Sequence, residues 1–128
     1  MGKAAMKIRL TMAVALVLGA AAPARAAPAD GFAAFWPTFA TAAAKDDAKA
    51  LASMVVLGPG LGDAGASFTK LHHDFLGPAA RRCLAKAKPV RDVDPQGAVE
   101  YSALCGEVDY VFSKVGGGWK LTDLGAND

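Results

Sequence analysis

A chain of 128 residues with 14 Lys and Arg against 12 Asp and Glu has room for one domain and little more. Its formal charge of +2 is not spread evenly. Lys3, Lys7, Arg9 and Arg25 fall in a distinct N-terminal segment, and without them ten basic residues face twelve acidic ones, a net −2. That balance, with no basic stripe, argues against nucleic acid as a partner.

The first nine residues carry three of those cations and no acid. Residues 10–22 then form an uncharged, mostly apolar run of 13, short of the ~20 that span a bilayer. Pro23 breaks it, and Ala24-Arg25-Ala26 places small residues at the two positions a signal peptidase reads before Ala27. Basic, apolar and cleavage regions in this order predict an export signal over residues 1–26, cut after Ala26; a membrane anchor is the alternative. No Cys follows the apolar run, so a lipid anchor is not expected there. The expectation is a periplasmic or secreted protein, free of the membrane after cleavage, with residues 27–128 forming one domain large enough to hold a core without metal.

Phe32, Phe35, Trp36 and Phe39, followed by Ala42 and Ala43, repeat at three- and four-residue spacing, which predicts a helix with an aromatic face. Asp30 is placed to cap it, and Pro37 either kinks it or lies in its first turn. Asp46 or Asp47 then caps a second helix carrying Leu51, Met54 and Val55. Residues 58–65 hold four glycines and a proline and read as a surface loop. They lack the Lys-Ser/Thr pair and the preceding strand that a phosphate loop requires. Ser67 caps a third helix through Phe68, Leu71 and Phe75. Pro78, after Gly77, suits the first turn of a fourth helix, which Pro89 stops.

Beyond Pro89 the period becomes two. Val99, Tyr101 and Ala103 alternate with Glu100, Ser102 and Leu104; Val108, Tyr110 and Phe112 alternate with Glu107, Asp109 and Val111. Gly116-Gly117-Gly118 turns the chain, and Trp119 and Leu121 return. These are strands of an antiparallel meander. Helices followed by strands predict an α+β fold with the helices on one face of a curved antiparallel sheet. Cys83 and Cys105 are the only cysteines. In an oxidising compartment they are expected to pair, a bridge worth about 3 kcal/mol in the chain-entropy model; two buried thiols are the alternative.

His72-His73-Asp74 is the conspicuous polar cluster, but neighbouring side chains on a helix diverge by about 100°, so the two imidazoles do not share an ion easily. No metal and no cofactor is expected. Arg81-Arg82 reads as surface charge, and if Tyr110 faces the core, Asp109 faces away from it. No nucleophile, zinc or phosphate motif is present.

The segment Tyr110-Val111-Phe112-Ser113-Lys114-Val115-Gly116-Gly117-Gly118-Trp119-Lys120-Leu121-Thr122 resembles the closing hairpin of NTF2-like (cystatin-like, SnoaL-type) domains. The aromatic first helix and Lys45-Asp46-Asp47-Ala48 leading into a second helix agree, so the resemblance covers most of residues 30–126. It implies a cone in which a bent sheet wraps helices around an apolar pocket. Enzymatic members set an acid and a His or Tyr deep in the cone; no such pair maps onto this sequence. The expected function is non-catalytic binding of a small apolar ligand, with Phe35, Phe39, His72, Phe75, Tyr101 and Tyr110 as the pocket residues. The alternatives are a protein-binding module using the open sheet face or the glycine loop, and a small lyase or isomerase using His72 or Asp109. The family analogy also predicts a homodimer through the sheet.

Overall fold

The first helix, α1 (Phe32–Lys45), forms where the aromatic stripe predicts it. It belongs to a computed structural model that describes residues 30–126; the expected export signal lies outside the described residues. Asp30 accepts the Phe32 backbone N–H at 3.0 Å, satisfying a donor the helix itself cannot. Pro37 sits inside the helix on its exposed side, where the carbonyl deprived of its N–H partner can turn to water. Asp46 ends α1 in the left-handed conformation (φ 53°), one that Asp tolerates better than most residues.

Asp47 caps α2 (Ala48–Ser53), accepting the Ala50 N–H at 3.1 Å. Ser67 caps α3 (Phe68–Phe75) through the Lys70 N–H at 3.1 Å, and Pro78 opens α4 (Pro78–Lys86). Between α2 and α3 the structure departs from the surface loop expected there. Residues Pro59–Ala66 form 3₁₀ turns broken at Gly62 (φ 62°), with Leu61 and Ala64 buried. A Cβ on Gly60 would overlap the Thr122 carbonyl oxygen, and one on Gly65 the Gly58 carbonyl. Gly60 permits close backbone approach to the sheet and Gly65 close approach within the segment itself, a role composition alone does not reveal.

Four strands form an antiparallel sheet in sequential order, β1 (Val90–Val93), β2 (Val99–Cys105), β3 (Val108–Val115) and β4 (Gly118–Ala126). The sheet is open. β1 was not anticipated: it is exposed throughout and so lacks the alternation that marks a half-buried strand. Gly116 and Gly117 join β3 to β4, both at positive φ (59° and 86°), as the tight hairpin turn matched to strand twist requires. Met54 and Val56 add backbone hydrogen bonds to Leu121, covering part of the β4 edge.

The helices pack on the face carrying Tyr101, Ala103, Tyr110, Phe112, Trp119 and Leu121, all buried. Phe39 meets Phe112 edge-on at 4.9 Å between ring centroids, and Phe32 meets Trp119 at 5.2 Å, geometries favoured by the ring quadrupoles. Each such side chain contributes roughly 1.5–3 kcal/mol by leaving water. Cys83 on α4 bonds to Cys105 on β2, with their Cα atoms 5.8 Å apart, joining the two layers covalently. Among the described residues no helix is long and apolar enough to cross a membrane.

Candidate functional site

The expected pocket residues do not all meet around one opening: Phe75 and Tyr110 share a depression, and the others are placed elsewhere. Phe39 and Tyr110 are completely enclosed and Tyr101 nearly so; they fill the interior that a cone-shaped pocket would occupy. Phe35 packs against this core, half-buried. The Tyr101 hydroxyl donates to the Asp30 carboxylate at 2.7 Å, and the Tyr110 hydroxyl to the Phe75 carbonyl at 2.5 Å. Burial pushes the Tyr110 hydroxyl up to about 12, so it remains a donor.

His72 leaves the core altogether. Its Nε2 lies 2.7 Å from Asp46 Oδ1, and Arg81 Nε approaches the same oxygen at 3.6 Å. The His72 hydrogen bond leads the effects that hold the Asp46 carboxyl below its ordinary value. His73 turns instead to Asp74, Nδ1 to Oδ1 at 2.9 Å, so the two imidazoles serve different carboxylates. Arg81 Nη1 also donates to the Leu76 carbonyl at 3.0 Å, which makes it a tie between α1, α3 and α4 more than a surface charge. Asp109 stands opposite Leu104 and Gly125 on the sheet face away from the helices, so it and His72 are not brought together. Among the described residues no three His, Cys, Asp or Glu side chains are placed to hold a metal ion.

Of the expected residues, Phe75 lines two openings and shares one of them with Tyr110. It forms part of the floor of a trough of about 510 Å³ with Leu61, Ala64, Val108, Leu124 and Ala126. Three separate parts of the chain build it: the glycine segment is one wall, α3 another, and the ends of β3 and β4 the third. Asp63, Lys70, Asp74 and Glu107 also line it. Lys70 Nζ pairs with Asp74 Oδ2 at 3.0 Å, one helical turn apart. His73 and then Lys70, each donating a hydrogen bond, hold the Asp74 carboxyl below its ordinary value. A second depression of about 270 Å³ shares Asp74, Phe75 and Val108 with the first and continues over Ala79, Ala80, Tyr110 and the disulfide.

Leu61, Val108 and Leu124 were missed because each has an adequate local reading, as loop, strand and strand end. The available signal was the pair Leu61 and Ala64, apolar residues within a glycine-rich stretch. The arrangement offers an apolar, open surface bounded by carboxylates. Desolvation raises the Tyr110 and Tyr101 hydroxyls and the Glu100 carboxyl, and none of the three lies among the residues that line the trough. The chain matches no family model, and matches neither a curated protein nor a solved structure significantly.

Proposed function

We propose that this is a non-catalytic protein-binding module of an exported protein, and that the glycine segment forms one wall of its docking trough. The observation that carries the reading is the pairing of a filled interior with an open apolar trough. Phe39, Tyr110 and Phe112 are buried in the interior, whereas half-buried Phe75, Val108 and Leu124 present apolar surface in the trough beside buried Leu61. Small-molecule sites enclose some 70–90% of their ligand; an open trough instead suits side chains carried on a partner's surface. Export is part of the same proposal, supported by the basic-apolar-small pattern of residues 1–26 and by a disulfide of the kind that persists in oxidising compartments. So is an NTF2-like origin, for which the helix-then-meander order speaks.

The trough's volume, about 510 Å³, also falls among small-ligand sites, and it favours an apolar small molecule as the second reading. Photo-crosslinking in the producing cell separates the two. A benzophenone amino acid at Asp63, on the trough, is expected to give one discrete protein adduct, and the same group at exposed Ala33 none. Identical adducts from both positions, or none from either, would overturn the protein-binding reading. A retained small mass in native mass spectrometry, lost in Phe75→Ala, would establish the second.

A further inference from the structure

Resting on the trough reading above, we infer that the partner is a cationic amphipathic peptide segment, seating apolar side chains along the trough and its continuation while basic groups meet Asp63, Asp74 and Glu107. The trough and the second depression share Phe75 and Val108, so they form one elongated apolar surface. Its length suits successive side chains of a segment better than a single anchor.

The charge at its edge is predominantly negative. Asp63, Asp74 and Glu107 line the trough against a single cation, Lys70, and Lys70 is already engaged with Asp74 at 3.0 Å. Among the described residues Asp63 and Glu107 take part in no ion pair, and both are exposed. The surplus therefore amounts to two negative charges beside apolar surface. Such a rim attracts basic residues and repels anionic lipid headgroups and nucleic acid. The distribution is local: Arg81, Arg82 and Lys86 line a different depression between α1 and α4.

The test uses the mature, disulfide-bonded protein and three fluorescein-labelled peptides of one length. One repeats Lys-Leu-Leu-Lys, the second replaces each Lys by Gln, and the third by Glu. Fluorescence anisotropy is expected to rank them Lys, Gln, Glu in falling affinity, with the Lys peptide weakened by salt. The double variant Asp63→Asn, Glu107→Gln is expected to weaken the Lys peptide about tenfold. The double variant Asp92→Asn, Asp123→Asn, which removes equal charge from exposed positions on β1 and β4, is expected to leave it within about twofold. Amide NMR shifts on the unsubstituted protein should move at Leu61, Val108 and Leu124. Equal affinity for the Lys and Gln peptides, with those same amides moving, would overturn the charge preference and leave the trough intact. Shifts confined to the outer sheet face, or no binding by any peptide, would overturn both.

Discussion

The Tyr101 hydroxyl donates to Asp30 Oδ2 at 2.7 Å, across 71 residues of sequence, and so fastens the first turn of α1 to β2. Asp30 is engaged on every side: Oδ1 accepts the Phe32 N–H, its backbone carbonyl accepts Trp119 Nε1–H at 2.7 Å, and Arg91 Nε stands 3.7 Å from Oδ2. A residue that sequence marks only as a helix cap thus joins the helix to three strands. Asp30→Ala removes the Tyr101 and Phe32 bonds together and is expected to cost about 1–3 kcal/mol, read as a lower denaturation midpoint in urea. Tyr101→Phe should reproduce part of the loss, and the two effects should be less than additive because they share one bond.

The same carboxylate gives an acid dependence. Desolvation raises its pKa, but the Tyr101 and Phe32 hydrogen bonds and the Arg91 charge outweigh it, and the folded value lies below 3.8. A carboxyl depressed in the folded state binds fewer protons than its unfolded counterpart. Its stabilising contribution is therefore present above pH 3.8 and is lost as pH falls through the folded value. The difference in unfolding free energy between the wild type and Asp30→Asn is expected to shrink as pH falls below about 3.8, whereas a constant difference would remove Asp30 from the account of acid unfolding.

The disulfide makes a separate prediction. Cys83 and Cys105 are 22 residues apart, and opening the bridge frees that loop in the unfolded chain. The double variant Cys83→Ser, Cys105→Ser is expected to lose about 3 kcal/mol in the chain-entropy model. Because Cys105 is buried against the core, Cys83→Ala, Cys105→Ala is the better-packed comparison and should lose slightly less. Equilibrium unfolding with and without reductant checks both, and reductant should leave the variants unmoved.

Much of the fold was legible because local chemistry agreed with the tertiary arrangement. The aromatic spacing of Phe32 and Phe39 marks the buried side of α1, Asp47 and Ser67 act as caps, and the alternation around Tyr110 assigns the inner face of β3 correctly. β1 was hidden because an exposed edge strand gives Val90-Arg91-Asp92-Val93 no face to repeat. The glycine segment was hidden for the opposite reason: its contacts are backbone against backbone, at Gly60 and Thr122, and no side-chain pattern records them. The trough was the least legible, since Leu61, Phe75, Val108 and Leu124 come together only when the glycine segment, α3 and the sheet ends close on one another. His72 and Asp46 are 26 residues apart and meet at the left-handed end of α1, a contact no local pattern records.

The glycine segment can be tested directly. Gly60→Ala would drive its methyl into the Thr122 carbonyl, and Gly65→Ala into the Gly58 carbonyl; neither obstacle is a movable side-chain end. Each substitution is expected to cost about 1–3 kcal/mol through overpacking and to raise hydrogen exchange at residues 58–66 first. Gly97→Ala is the contrasting case: its Cβ meets nothing, although a φ of 88° still makes it unfavourable by about 1 kcal/mol. Exchange should then rise at the β1–β2 turn and leave residues 58–66 protected. If Gly60→Ala and Gly97→Ala instead affect residues 58–66 alike, close backbone approach is not what the glycine there provides.

Tyr110 gives the alkaline counterpart of Asp30. Burial carries its hydroxyl from 10.0 up to about 12, so between those values the unfolded chain releases a proton that the folded chain keeps. A raised folded value means its stabilising contribution is complete below pH 10.0 and falls away as pH rises towards about 12. Tyr110→Phe removes the titration together with the hydrogen bond to the Phe75 carbonyl. The variant is expected to be less stable than the wild type at neutral pH by about 1 kcal/mol, and the gap should close through the alkaline range. Unfolding midpoints in urea at pH 7, 9 and 11 measure this, with tyrosinate absorbance at 295 nm reporting ionisation. A gap that stays constant to pH 11 would mean that Tyr110 ionises as freely in the folded protein as in the unfolded chain, and that the floor beneath Phe75 is wetter than its packing indicates.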